Sequence, residues 1–228
     1  MVRIGLAMLQ GARHEHAEAL RAASSQLHLG IEIVELRRAL EVDEHLDCLI
    51  LPGGESTAMR KASQSESLLS ALYSWMEQHP QRPVLGTCAG AILLANPGEP
   101  QAPFLRAEIS RNAWGRQRDS FEAEVEISLD TPSGGRISPK VATRDRFNHK
   151  PLPVSDTSPL HNNSAFHGVF IRAPRFEQSS IECTPVAMLG EEIVGVLDGS
   201  RLALTFHPEL TGDYRFHRWL ILQANASQ

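Results

Sequence analysis

Over the first 95 residues, short apolar runs take turns with stretches in which apolar residues recur every three to four positions. The runs are VRIGLAML, IEIVEL, DCLILPGG and PVLGT; the longer-period stretches extend from about Glu15 to Leu27 and from Ser56 to Gln78. A period of two suits a strand and a period near 3.6 suits a helix. Strands alternating with helices imply a parallel sheet covered on both faces, since parallel neighbours need a crossover between them. Several of these strands are apolar almost throughout, as strands buried on both faces should be. The expected class is therefore α/β.

Beyond Ala95 the pattern changes. A proline-rich loop, PGEPQAP, spans Pro97 to Pro103. SRNAWGRQRDSFEAEVEISL follows, alternating like a strand in its latter part, and AFHGVFIRAP reads as another strand. Between them, residues 130–163 are rich in Pro, Ser, Thr, Asn and basic residues without sustained apolar periodicity, which predicts an irregular insertion or mobile loop. PVAMLG, EIVGVLDG and RLALTF read as strands, and a last helix is expected near Tyr214 to Ala224. No repeat or linker separates a second unit, so residues 1–228 are expected to form a single domain.

Composition narrows the class. A chain of 228 residues can bury one sizeable core, and 42% hydrophobic with 21% charged residues is a globular composition. No apolar run approaches the roughly 18 residues needed to cross a bilayer. The N-terminal MVRIGLAMLQG lacks a small-residue cleavage pattern and reads as a first strand, not a signal peptide. Three cysteines make no disulfide framework and agree with a reducing, cytoplasmic setting. A net charge of −5 offers no broad basic field for nucleic acid, which leaves small polar substrates or protein partners.

Three strands end in glycine-bearing turns, LQG, LPGGES and LGTCAG. Ligands of open α/β sheets bind outside the carboxyl ends of strands, so these turns are expected to share one edge. Gly86 to Gly90 has the form G-x-C-x-G, the thiol counterpart of the nucleophile elbow, in which a strained strand-to-helix turn lifts the reactive side chain above the sheet. A following helix N-terminus would favour thiolate and any nearby oxyanion. From this pattern alone Cys88 is either a nucleophile or a small packed thiol. Cys48, inside an apolar strand, and Cys183, in IECTP, lack the flanking glycines and read as packing residues.

A cysteine nucleophile needs a base, and the base an orienting acceptor. His207 follows the strand RLALTF, and Glu209 lies two residues on, where an extended backbone would send both side chains to the same side. A structural histidine is the competing reading. PGGES supplies backbone N–H groups able to receive an oxyanion or a carboxylate, although a plain tight turn would explain it equally well. Dinucleotide and Walker fingerprints are absent. His14 and His16 diverge if they begin a helix, so no metal site is expected, and no cofactor is implied.

LPGGEST, GTCAG and FHPEL, in this order, resemble the triad glutaminases of the class I glutamine amidotransferase superfamily. With MLQGARHEH, RNAWGRQRDSFE and GVFIRAP, the chain is similar over most of its length to the glutaminase subunits of pyridoxal 5′-phosphate synthases. The resemblance implies a flavodoxin-like three-layer α/β sandwich with a mostly parallel central sheet. It also implies hydrolysis of L-glutamine to L-glutamate and ammonia, with ammonia channelled to a (β/α)8-barrel synthase for vitamin B6 biosynthesis. By the same resemblance Cys88 is the nucleophile, His207 the proton shuttle and Glu209 its orienter. Gly54 and Ala89 would donate the oxyanion-hole N–H groups. Gly54, Glu55, Ser56, Arg111, Ile171 and Arg172 match glutamine-binding positions, and Gln10 matches a residue that couples partner docking to the oxyanion turn. Residues 130–163 depart from the family by their length.

Overall fold

A computed structural model describes residues 1–111, 120–129 and 164–227. The expected insertion at 130–163 and the NAWGRQRD segment at 112–119 lie outside the described residues.

The first half alternates as its periodicity requires: β1 (Val2–Ala7), α1 (Arg13–Leu27), β2 (Ile31–Leu36), β3 (Cys48–Leu51), α2 (Ser56–Gln64), α3 (Leu68–Gln78), β4 (Val84–Thr87) and α4 (Ala89–Ala95). There follow β5 (Ile109–Ser110), β6 (Ser120–Ile127), β7 (Ala165–Ile171), β8 (Arg175–Phe176), β9 (Thr184–Leu189), β10 (Glu192–Asp198), β11 (Arg201–Leu204) and α5 (Arg215–Ala226). Nine of the described strands form one sheet in the order β2-β1-β3-β4-β11-β10-β9-β6-β7. From β2 to β11 neighbours are parallel; from β11 to β7 they are antiparallel. The α/β class with a central sheet is therefore as expected, with an antiparallel extension on a parallel half. Among the described residues no helix is long and apolar enough to cross a membrane.

Alternation along each strand sends side chains into two cores. Ile4, Leu6, Cys48, Ile50 and Leu85 pack with Leu20 of α1 and Phe216, Trp219 and Leu220 of α5 on one face. Leu49, Leu51 and Val84 pack with Met59 of α2, Leu72 and Met76 of α3 and Leu93 of α4 on the other. Because both faces are covered, β3 and β4 carry no polar alternation, whereas the edge strand β2 keeps Glu32 and Glu35.

One expected element divides. The helical pattern from Ser56 to Gln78 is two helices, broken at residues 65–67, where Ser67 takes φ 51°. The cause lies in SQSES: the buried Ser63 hydroxyl accepts the Leu69 N–H at 2.7 Å, offering the backbone an alternative to the helical bond. The Glu66 carbonyl turns outward to accept from the Ala39 N–H.

The antiparallel extension matters for the site. Five inter-strand spacings separate β4 from β7 in the strand order, about 24 Å if the sheet were flat. Yet the Val169 carbonyl of β7 accepts from the His207 N–H at 2.8 Å, just beyond β11. The antiparallel half curls back, carrying the end of β7 over the carboxyl ends of β4 and β11.

Candidate active site

In the register of β4 with β11, Thr87 pairs with Leu204, and the Cys88 N–H donates to the Leu204 carbonyl at 2.8 Å. Both strands run the same way, so the residues that follow them, Cys88 and His207, emerge at one end of the sheet. The Gly53–Gly54 turn after β3 emerges there too, and the Gly53 carbonyl accepts from Ala12 N–H of the turn after β1. The three glycine-bearing turns thus share one edge.

Cys88 has φ 46° and ψ −103°, a conformation that costs a non-glycine residue energy and persists only where its surroundings enforce it. What enforces it is close packing beneath the turn. A Cβ on Gly90 would stand 1.9 Å from the Leu51 carbonyl oxygen, so only glycine lets α4 lie against the end of β3. The Cys88 sulfur, in the turn ahead of α4, lies 3.8 Å from the Ile171 carbonyl oxygen. Cys88 is nearly buried, as are His207 and Glu209.

His207 Nδ1 stands 2.7 Å from Glu209 Oε1, which leaves the opposite ring nitrogen for the Cys88 sulfur. The link is not the extended one expected from H-x-E spacing. Residues Pro208–Leu210 form a single 3-10 turn, and the turn's curvature brings the carboxylate back under the ring. A Cβ on Gly53 would lie 2.3 Å from His207 Cε1, so the PGG turn packs directly on the imidazole.

The electrostatics of this pair follow from its burial. Loss of water opposes a charged imidazole, but the Glu209 carboxylate and the Cys88 sulfur outweigh it and push His207 up to about 10. Burial would likewise raise Glu209, yet His16 and His207 beside it hold its carboxyl below the usual range. Such an arrangement can hold a proton drawn from a thiol on one edge of the ring and stabilise the imidazolium through the other.

Around this centre, Glu55 caps α2, accepting from Thr57 N–H at 2.9 Å and Ala58 N–H at 2.7 Å, and these bonds lower its pKa. Arg111 donates to the Thr57 hydroxyl at 2.8 Å and is exposed, so its cationic end borders the same helix start. Ser56 is buried at the first position of α2. Arg172 is exposed directly after Ile171, with φ 42°. Gln10 is exposed, and its backbone carbonyl carbon lies 3.6 Å from where a Gly54 Cβ would stand. Cys48 and Cys183 are elsewhere, each with its thiol pushed up by burial. Sequence reasoning weighed His16 only as a metal ligand and did not single out Thr87 or His217; the three pack as a buried polar cluster behind Glu209. The one available signal was that both histidines interrupt the core-facing stripe of a helix, His16 four residues before Leu20 and His217 three before it would repeat at Leu220.

The chain has clear relatives. The profile of the SNO glutamine amidotransferase family matches residues 6–134 and 149–226, leaving 135–148 between the two matched stretches. "Pyridoxal 5'-phosphate synthase subunit PdxT" of Thermococcus onnurineus is 36% identical over 98% of this chain and 100% of its own length. The PdxT of Pyrococcus furiosus is 36% identical over 97% of this chain and 98% of its own. A glutamine amidotransferase of known crystal structure, 33% identical, superimposes with a TM-score of 0.70 over 97% of this chain and 98% of that one. On this near-complete match of sequence and fold, the chain belongs to the SNO glutamine amidotransferase family and is a glutaminase, an enzyme of the glutamine side-chain amide.

Proposed function

We propose that the chain is the ammonia-supplying subunit of a pyridoxal 5′-phosphate synthase and works through a Cys88–His207–Glu209 triad. The Cys88 sulfur, its proton already resting on His207, attacks the amide carbon of L-glutamine. Electrons of the C=O bond move onto oxygen, and the N–H groups of Gly54 and Ala89 receive that oxyanion. When the C=O double bond re-forms, the C–N bond breaks. His207 gives its proton to the departing nitrogen, which leaves as ammonia, and a glutamyl thioester remains on Cys88. Water then attacks the thioester, His207 removes its proton and returns it to sulfur, and L-glutamate departs. Throughout, Glu209 holds the ring and balances the imidazolium.

The α-carboxylate and α-ammonium of the substrate need opposite charges, which Arg111 or Arg172 and Glu55 supply. Gly54, Ser56 and Ile171 line the same end of the sheet and complete the glutamine site. Gln10, beside Gly54, transmits docking of the synthase, a (β/α)8 barrel in this reading, to the oxyanion turn. Ammonia passes directly to that partner in the cytoplasm.

The observation that carries this reading is the meeting of a cysteine in a strained turn with a buried His–Glu pair at the strand ends. The match to relatives bearing the PdxT name over almost their whole length supports the partner assignment. Ammonia release from glutamine tests both parts, with wild type and Cys88→Ala each assayed with and without the synthase. Wild type with its partner should release ammonia and Cys88→Ala should not. Equal activity in the two proteins would remove Cys88 from the mechanism, and a rate unaffected by the synthase would remove the coupling.

A further inference from the structure

Behind the triad the chain buries two histidines that the reaction as written does not use. His16, on α1, is fully buried and sits among three polar partners. Its Nδ1 is 2.9 Å from Nε2 of His217 on α5. Its Nε2 is 3.0 Å from the Thr87 hydroxyl and 3.4 Å from Glu209 Oε2. That carboxylate oxygen is buried and accepts no hydrogen bond among the described residues, although a buried carboxylate oxygen ordinarily takes one, and His16 Nε2 is the polar atom set against it. We propose that His16 is a positioning residue of the glutaminase triad, its Nε2 edge, bonded to Thr87 and set 3.4 Å from Oε2 of Glu209, confining the carboxylate so that Oε1 stays aimed at His207.

The partners select the tautomer. Were the proton on Nδ1, the bare Nε2 lone pair would face a carboxylate oxygen at 3.4 Å, and His217 would bury an unpaired N–H at Nδ1. With the proton on Nε2, the ring faces the carboxylate with a donor, Nδ1 accepts from the His217 Nε2–H, and the orphan on His217 is only an acceptor. His217 therefore fixes the His16 tautomer as a second-layer partner fixes a ligating histidine. Burial opposes protonation of each ring, with Glu209 working the other way at both; His207 adds to the effect of burial at His16, and His16 and Arg218 add to it at His217. The chain of contacts runs from α5 through α1 to the 3-10 turn and the catalytic ring.

The inference rests on the glutaminase reading of this site, and the tests keep the two apart. In the complex with the synthase, His16→Leu should lower kcat about 10- to 100-fold with KM little changed, the range seen when an outer-layer partner is removed. His16→Gln, whose amide N–H can occupy the Nε2 position, should recover most of that loss. A pH profile separates positioning from mere packing. The titratable groups facing Glu209 are His207, His16 and, behind it, His217 with Arg218 nearby, and Cys88 faces the far side of the His207 ring. With Oε2 left bare in His16→Leu, the carboxylate protonates more readily, so the acid limb of kcat moves to higher pH; in His16→Gln it does not. A packing defect would lower the rate at every pH alike. For a variant that does not fold, nitrogen-15 NMR of the wild-type chain reads the His16 tautomer directly and should show a neutral ring protonated at Nε2. An Nδ1–H ring, or His16→Leu with full kcat, or Gln no better than Leu, would overturn the proposal. Absence of Cys88-dependent ammonia release in the wild-type complex would instead strike the glutaminase reading, and the tautomer measurement, which needs no turnover, would still decide the His16 contact.

Discussion

Gly53 offers the sharpest lever on the candidate site, because it touches the imidazole without taking part in any bond change. A methyl group there would stand 2.3 Å from His207 Cε1 and 2.8 Å from Nδ1. Carbon atoms pack comfortably at about 3.5 Å or more, so ring and methyl must separate by about 1.2 Å. The ring has little freedom to yield. Its Nδ1 is tied to Glu209, and its backbone N–H is tied to Val169. Gly53 is not among the glycines with positive φ, so alanine is tolerated by the backbone and the effect falls on His207. A misplacement of about 1 Å at a reacting group costs roughly 10²-fold. We therefore expect Gly53→Ala to lower kcat for ammonia release about 100-fold in the complex, while overpacking costs about 1–3 kcal/mol of stability. Gly190, in the β9–β10 turn, provides the control. It has φ 59° and open space around its Cβ position, so Gly190→Ala should lose stability by backbone strain and keep its kcat. A Gly53→Ala enzyme with full kcat, or a Gly190→Ala enzyme losing as much, would refute the reasoning.

Arg111→Ala should raise KM for glutamine about tenfold or more and leave kcat nearly unchanged, since an exposed arginine binding a carboxylate contributes alike to ground and transition states; a fall in kcat at constant KM would move Arg111 out of the substrate site. The stability of the isolated chain should depend on His207 with a definite sign. Folding raises its proton affinity, so its stabilisation is whole below the unfolded value of about 6.5 and fades as pH climbs through the folded value of about 10. The gap in unfolding free energy between wild type and His207→Gln should accordingly narrow across that window, and a gap that widens toward pH 10 would contradict the assigned charge.

How far the sequence could be read depends on whether the deciding contact is local. β1, β3 and β4 were plain from composition because both of their faces are buried. The break between α2 and α3 was hidden because apolar spacing continues across it, and only the Ser63 hydroxyl on Leu69 N–H ends the first helix. The two-residue strands β5 and β8, paired through Ile109 and Phe176, are too short to carry a period. H-x-E spacing brought His207 and Glu209 to notice, although a 3-10 turn and not an extended backbone joins them. His16 and His217 escaped for a deeper reason. They meet across 201 residues of chain, and each alone looks like a histidine on an apolar helix face.

Every role proposed at the site depends on Cys88 being the nucleophile toward a glutamine amide. The most direct measurement is peptide mapping of the wild-type complex after treatment with a glutamine analogue bearing an electrophilic carbon in place of the side-chain amide, with residual ammonia release followed in parallel. Cys48 and Cys183 have thiols that burial pushes above the ordinary range, away from the reactive thiolate. One adduct, on Cys88, should rise in step with loss of activity and be prevented by excess glutamine. Inactivation with the adduct on Cys48 or Cys183, or full occupancy of Cys88 with ammonia release intact, would contradict it.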